Sequence, residues 1–382
     1  MISRLFALAF AAGLVMPSAA QAQLANVRLY GSLNLDLELI RGKQPDGSNP
    51  TINRVSSNSS RLGIRGLEYL GGGQVAVFQI ESSINGDTNA GNLGGRETFV
   101  GLQGAWGTVK LGRFLTPYDD IHPIFGNVPT LSTSILSTAS LWAQGPLAKG
   151  QGGFDARLGN SLRYDSPNLN GFSAEIQYST RDSSGNASGT GGDNGEHVSE
   201  LRHANVWSVG AFYSRGSLDL GAAYERNNKV RAEGFNDDAL SIAAAYDFGM
   251  VMDRFGLRIG GIYERLKYAT TTGDLKRDFY GISGTLVVGA GVIYAFWGRA
   301  NNGKGSAVDG TEVGGLAKGP DSGSTQWELS YSHNLSPRTM LYAGYVRLSN
   351  EVNARYTFNI NDYTTAPGAK LGGAVFGIAH FF

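Results

Sequence analysis

The sequence predicts an all-β fold, a 16-stranded antiparallel transmembrane β-barrel with a long third loop folded into its lumen. Three observations predict it. Apolar and polar residues alternate with period two in segment after segment, which is a strand signal. Glycine is abundant, 55 of 382 residues, and gathers in short turns between those segments. The third observation is a break in the pattern. From Arg113 to Arg157 the chain neither alternates nor repeats with a helical period. A connection that long inside a tightly connected chain is functional or disordered. Its Phe114, Tyr118, Ile121, Phe125, Leu136, Leu141 and Trp142 need something to pack against, and folding back into the barrel supplies it.

Composition narrows the class further. Barrels run long as single domains, so the length asks for no second one. Cysteine is absent, which removes a disulfide framework and a thiolate metal site. Basic and acidic residues number 32 each, so there is no global basic footprint for nucleic acid. Residues 1–22 read as a signal peptide, with Arg4 as the positive start, Leu5 to Met16 as the apolar core and Ala20-Gln21-Ala22 as the cleavage site. Residues 23–382 then form the transmembrane β-barrel domain. They hold no run near the ~20 apolar residues that a spanning helix needs. What remains is a soluble exported protein or an outer-membrane barrel.

The first segment after the leader separates those two. Between Val27 and Leu39 one face carries Val27, Leu29, Leu33, Leu35, Leu37 and Leu39, and the other Arg28, Tyr30, Ser32, Asn34, Asp36 and Glu38. That is longer than the usual globular strand and long enough for the about 9–11 residues of a membrane strand. The same grammar follows at Ser60 to Leu67, Val75 to Glu81, Arg96 to Gln103, Thr108 to Gly112, Asn160 to Tyr164 and Phe172 to Ser179. It continues through Val206 to Tyr213, Ser217 to Glu225, Ala239 to Phe248, Phe255 to Tyr268, Phe279 to Val288 and Val292 to Gly298. Gln326 to Asn334, Met340 to Leu348 and Gly373 to Phe382 close the series.

Short and long connections are expected to alternate in strict order, the long ones including Arg181 to His203, Asn301 to Thr325 and Glu351 to Lys370. Outer-membrane barrels put short turns on the periplasmic side and long loops outside. An even strand count then leaves both termini periplasmic. The sheet must close, because an open edge in lipid strands unpaired backbone groups. Tyr30, Tyr263, Trp297, Trp327, Tyr331 and Tyr342, near strand ends, are expected in the interfacial girdles, and Ala374, Phe376, Ile378, His380 and Phe382 on the outward face of the last strand.

Signs of catalysis are few. Gly298 to Lys304 begins like a phosphate-binding loop but continues with Gly305 and leads into no helix, and Gly289-Ala290-Gly291 sits at a turn between strands. There is no Gly-x-Ser-x-Gly elbow. His122, His197, His203, His333 and His380 are scattered; His197 and His203 share an expected outer loop and could touch a metal, but a solvated loop is favoured, with no metal site and no cofactor. The arginines say more. Leu62 and Ile64 toward lipid put Arg61 and Arg65 in the lumen. Arg96 shares parity with Thr98, opposite an outward Phe99. Arg157 and Arg163 share parity with Ser161 and Asp165, opposite Leu158, Leu162 and Tyr164. A ladder of positive charge beside a narrowing biases the passage of ions.

Several of these blocks carry a resemblance. They are Ser60-Arg61-Leu62-Gly63-Ile64-Arg65-Gly66-Leu67-Glu68 with Leu70-Gly71-Gly72-Gly73, and Phe78-Gln79-Ile80-Glu81. Phe99-Val100-Gly101-Leu102, Gly107 to Arg113, Tyr164-Asp165-Ser166-Pro167-Asn168 and the terminal Phe382 belong with them. Over most of its mature length the chain resembles the Gram-negative general porins, most closely the trimeric sixteen-stranded porins of β-proteobacterial type. The resemblance implies a homotrimer in the cell outer membrane whose third loop forms an eyelet. It implies a water-filled channel for passive diffusion of ions and small hydrophilic solutes, with no cofactor and no chemical step. It also implies contact with outer-membrane lipid and lipopolysaccharide, and delivery by the barrel-assembly machinery through the last strand ending in Phe382.

Carried over by motif, Arg61, Arg96 and Arg157 match positions that project into the constriction, with Arg65, Arg113 and Arg163 beside them. Tyr118-Asp119-Asp120-Ile121-His122-Pro123-Ile124-Phe125-Gly126 resembles the third-loop tip of the enterobacterial branch. Asp119 and Asp120 then supply the acidic side, and Ile124 replaces a second acid. A mild preference for anions is expected. A substrate-selective porin for small anionic solutes is the nearest alternative, and a non-channel structural or adhesive barrel another. A barrel enzyme would need a nucleophile–base pair near one rim, and the sequence offers none.

Overall fold

The computed structural model describes residues 26–88, 91–126, 134–144, 153–180, 204–251, 255–358 and 366–382. The predicted signal peptide, 1–22, and the outer-loop residues His197 and His203 lie outside them. Apart from a short hairpin of Glu312–Val313 with Leu316–Ala317, the described strands form one closed antiparallel sheet of eighteen ladder segments. Two strands are each interrupted once, which leaves sixteen.

The first eight are β1 (Asn26–Lys43), β2 (Thr51–Ser57 continued by Arg61–Gly71), β3 (Gln74–Ile84), β4 (Gly91–Asn92 continued by Thr98–Gly104), β5 (Gly107–Leu115), β6 (Arg157–Asp165), β7 (Phe172–Thr180) and β8 (Asn205–Arg215). The others are β9 (Leu218–Asn228), β10 (Asn236–Val251), β11 (Phe255–Thr270), β12 (Gly273–Val288), β13 (Gly291–Ala300), β14 (Ser324–Ser336), β15 (Thr339–Asn350) and β16 (Lys370–Phe381). Each pairs with its sequence neighbours, and β1 closes the ring by pairing with both β2 and β16.

Closure leaves no edge, and the faces sort as the alternation predicts. On β1, Leu33, Leu37 and Leu39 are exposed outward, while Ser32, Asn34, Asp36 and Glu38 are buried inside. The hydrophobic core is therefore not between two sheets. It lies within the barrel, where Tyr118, Ile121, Phe125, Ile135, Leu136, Leu141 and Trp142 of the long connection meet the inner wall.

Three details depart from the sequence reading. The connection between β11 and β12 is only the pair Thr271 and Thr272, closed by Gly273 at φ +129°, so the long connections do not alternate strictly. Both strands run to 16 residues, and Lys304, in the loop after β13, bridges to Lys276 near their joined ends. Tyr30 and Tyr342 are not girdle residues. Both turn inward, Tyr30 donating to Glu81 at 3.0 Å and Tyr342 to Asn34 at 2.7 Å. Tyr263, Trp297, Trp327 and Tyr331 are exposed outward, as a girdle requires.

The third departure concerns parity between β4 and β6. Phe99 faces inward, in register with Gln79, and Val100 is the exposed residue. Leu158 likewise is buried, against Ala204, Val206 and Val230. Two irregularities explain this. Glu81 accepts from the Arg96 N–H and donates to the Glu97 carbonyl, so two residues oppose one. The β5–β6 ladder shifts register between Gly112 and Phe114, with Asn160 at φ +50° on the facing strand. One extra residue exchanges the two faces of a strand.

Candidate functional site

The long connection leaves β5 and is held against one side of the inner wall by a buried polar clamp. Glu264 on β11 and Arg277 on β12 form an ion pair with both side chains fully buried. Glu264 also accepts from the Tyr118 hydroxyl at 2.6 Å and from the Ala143 N–H at 2.8 Å, and Arg277 donates to the Leu141 carbonyl. Ser241 on β10 donates to the Tyr118 oxygen at 2.7 Å and accepts from the Trp142 indole at 3.2 Å. Further round, Tyr294 donates to the Phe125 carbonyl at 2.8 Å and Gln326 to the Ser137 carbonyl at 3.0 Å. A charged pair is tolerable when buried only if its remaining hydrogen-bonding capacity is satisfied, and loop groups help to satisfy this one.

Apolar contacts fill in around the clamp. Tyr118 stacks on Trp142 at 5.7 Å, and His122 on Trp142 at 4.8 Å. Inner-wall glycines give the loop room: a Cβ at Gly373 would lie 2.4 Å from Ile135, and one at Gly221 2.5 Å from Ile124. Ile124, which replaces an acid of the resembled loop tip, is thus a packing residue. Burial pushes the His122 imidazole down to about 4 and the Asp155 carboxyl up to about 7. Asp119 is raised well above the usual range, by burial first and then by Asp155 and Asp120.

The other side of the wall, β1 to β6, carries the cations. Glu81 stands between two of the predicted arginines, 2.5 Å from Arg96 and 3.6 Å from Arg61. Arg157 interacts electrostatically with Arg96, Asp119, Glu97 and Glu81. Arg163 is enclosed by carboxylates: Asp165 at 2.6 Å, Asp120 at 2.7 Å and Glu175 at 2.9 Å. Asp120 therefore ties the loop to the wall. Asp119 lies on the same loop turn. Arg65 faces inward as expected, with its guanidinium over the Tyr30 ring at 5.0 Å.

Arg113 does not join them. Its ladder partner Thr98 is in register with outward Ile80, and its Nε donates to the Gly95 carbonyl at 3.2 Å. The reason is the parity change described above.

Sequence reasoning missed two features. One is Glu81 as the shared counter-charge. The other is Arg28, which stands directly opposite Arg65 in the ladder. With Gln79, Phe99 and Lys110 these two line an inner cavity of about 870 Å³. Arg28's inward parity was legible, but its register with Arg65 was not.

A closed barrel with an apolar exterior, a polar interior and an inward-packed loop defines a membrane pore. The comparisons make this specific. A family model described as Gram-negative porin matches residues 7–353, and the chain belongs to that family. Outer membrane porin protein 32 of Delftia acidovorans is 28% identical over 351 residues, 88% of each chain. The major outer membrane protein P.IB of a Neisseria meningitidis serogroup A strain is 28% identical over 295 residues, 67% of this chain and 80% of that one. Among solved structures, the anion-selective porin from Comamonas acidovorans matches with TM-score 0.71 and 25% identity, covering 94% of this chain and all of that one. OmpT of Vibrio cholerae, in its trimer form, shares the fold at TM-score 0.62 and 14% identity. The protein is an outer-membrane channel for passive diffusion of ions and small hydrophilic solutes.

Proposed function

We propose that the channel prefers anions mildly and carries out no chemical step. The observation that carries this reading is the Arg28–Arg65 pair, two like charges directly opposite in the ladder beside an inner cavity. Such a pair is unfavourable by itself and favoured by a passing anion. Arg61, Arg96 and Arg157 add to the positive side of a constriction between wall and loop. Glu81 and the Asp119–Asp120 turn offset part of that charge, which keeps binding weak enough for solute to leave. Arg163 acts as a strut for the loop.

The remaining parts of the reading follow the family. The unit is a homotrimer, residues 1–22 are an export signal, both termini face the periplasm, and the third loop is the eyelet. The last strand, ending in Phe382, addresses the barrel-assembly machinery. Lipopolysaccharide surrounds the outer rim.

Single-channel conductance in a planar bilayer, with the reversal potential under a salt gradient, tests the proposal. Stepwise conductance with an anionic reversal potential is expected, weakened in Arg61→Ala, Arg96→Ala or Arg157→Ala. A cationic sign would overturn the charge argument. Absence of conductance from a well-folded barrel would overturn the channel.

A further inference from the structure

We propose that the lumen holds a subsite for aromatic carboxylates, with the carboxylate on Arg28 and Arg65 and the ring against Phe99, Leu67 and Val77. This rests on the channel reading above and names the solute class of its inner cavity. The site is one ladder row that crosses the first four strands. Arg28 on β1 stands opposite Arg65 on β2, Arg65 opposite Gln79 on β3, and Gln79 opposite Phe99 on β4. All of them line the cavity of about 870 Å³. Along β2 the row lies about 13 Å from Arg61, toward the Gly71–Gly73 turn. It is therefore separate from the level of Arg61, Arg96 and Glu81.

The two guanidiniums are available to an anion. Among the described residues neither Arg28 nor Arg65 forms a salt bridge. The carboxylates nearest the row are already engaged. Glu81 is shared by Arg61 and Arg96, and Asp165 by Lys110 and Arg163, both at 2.6 Å. Glu97 accepts from the Gln79 amide at 3.4 Å. Arg65 is held in place by the Tyr30 ring, which is itself fixed through its hydroxyl on Glu81 at 3.0 Å. Two guanidiniums one strand spacing apart, about 4.8 Å, can clasp a single carboxylate between their forks.

Charge alone would suit any anion, and the next row decides the class. There Leu67 stands opposite Val77 and Val77 opposite Gly101, with Lys110 beyond. The interior of a membrane barrel is ordinarily polar, so two aliphatic side chains beside an inward phenyl ring need a reason. A Cβ at Gly101 would lie 3.3 Å from Val77 Cγ2 and 3.0 Å from Lys110 Cγ, so both side chains lean over the glycine and close an apolar floor. Phe99 is set edge-on to Phe114 at 6.1 Å, and the Lys110 ammonium lies 5.3 Å from its ring centre. Arg65 and Phe99 stand two strand spacings apart, about 9.5 Å, with Gln79 between them. A planar ring carried by the clasped carboxylate reaches Phe99 across the floor. Burial of one ring face and an edge contact with Phe99 are gains that phosphate or acetate cannot make. Arg28 and Arg65 are both exposed to the lumen, so the solute also leaves.

Single-channel current in a planar bilayer tests the subsite, with benzoate, cyclohexanecarboxylate, acetate or inorganic phosphate added to potassium chloride. Benzoate is expected to block the chloride current at about tenfold lower concentration than acetate or phosphate. In Phe99→Ala that advantage over acetate is expected to shrink about fivefold, with block by acetate itself as in wild type. Arg28→Gln is expected to weaken block by both carboxylates alike. Leu67→Asn keeps every charge and Phe99, and is expected to reduce the advantage of benzoate too. It tests the floor even if Phe99→Ala gives no heat-modifiable barrel. Equal block by benzoate and acetate in wild type overturns the proposal. So does an undiminished advantage of benzoate in Phe99→Ala or, where that variant does not fold, in Leu67→Asn. Block by cyclohexanecarboxylate as strong as that by benzoate overturns the aromatic assignment. A cationic reversal potential in chloride alone would remove the anion preference, and absence of current the channel. In either case equilibrium dialysis of benzoate against folded wild type and Leu67→Asn in detergent decides the subsite, equal retention overturning it.

Discussion

On the β10–β12 wall, Glu264 and Arg277 are enclosed completely, pair with each other and hold Tyr118, Leu141 and Ala143 of the loop. On the β1–β3 wall, Arg28 and Arg65 face each other beside an inner cavity of about 870 Å³. The same residue type thus serves opposite purposes. Where the loop covers the wall, charge is paired, desolvated and rigid, and it fixes the position of the loop. Where the loop leaves the wall uncovered, charge stays beside open space and acts on what passes. The difference teaches that the lumen is made asymmetric by one connection rather than by the barrel, whose strands carry inward polar residues all round.

The largest effect should come from breaking the clamp. Glu264→Ala leaves Arg277 buried and unpaired and removes the acceptor for Tyr118 and Ala143, a loss of about 3–5 kcal/mol in loop docking. The expected result is unstable, fluctuating single-channel current from a barrel that still forms. Glu264→Ala combined with Arg277→Met removes the orphaned charge and should recover much of the loss. If the single variant conducts as steadily as wild type, the clamp does not position the loop.

A steric version of the same test is Gly373→Val, whose side chain meets Ile135 at the position where a Cβ alone would lie 2.4 Å from it. Overpacking of this kind costs about 1–3 kcal/mol. Faster hydrogen exchange around Ile135, with barrel amides unchanged, is the outcome to look for.

Acidity probes the loop more gently. His122 is held neutral with a value near 4 against an ordinary 6.5, so between those values the undocked chain binds more protons and docking strengthens as pH rises. Asp155 has the opposite sign. Raised from 3.8 to about 7, it holds its proton in the docked state and weakens docking as pH climbs through that window. Asp119 acts in the same direction as Asp155. Wild-type docking should therefore weaken as pH rises between about 4 and 6.5, with His122 offsetting part of the effect of the two carboxyls. His122→Gln should show docking that weakens steadily from about pH 4 to about pH 7, measured by exchange of loop amides.

On the open wall, Glu81→Gln should release Arg61 and Arg96 from their shared counter-charge and move the reversal potential further toward the anion side. Arg113→Ala is the smallest expected effect, none on selectivity, because its ladder position is that of outward Ile80 and its Nε is tied to the Gly95 carbonyl. A selectivity change in Arg113→Ala as large as that in Arg61→Ala would erase the distinction drawn between the two.

Much of this molecule is legible in its sequence. The number of strands, the inward arginines of β2 and the inward-folded connection followed from alternation, turn composition and stranded apolar residues. Where legibility failed, it failed at particular residues. Phe99, Leu158 and Arg113 lie beside a bulge or a register shift, and a count by twos has no way to register one extra residue.

Alternation is a local property: each outward leucine and inward polar residue of β1 is specified by its immediate neighbours, because successive side chains must point to opposite faces. That was enough to determine a membrane barrel of this size. Partnership is not local. Tyr118 and Glu264 are 146 residues apart, and Arg28 meets Arg65 only because of how two strands pair. Which charges are buried against the loop and which are left facing the lumen was decided by closure of the barrel around that loop. Only there do desolvation and pairing act on the same side chains at once.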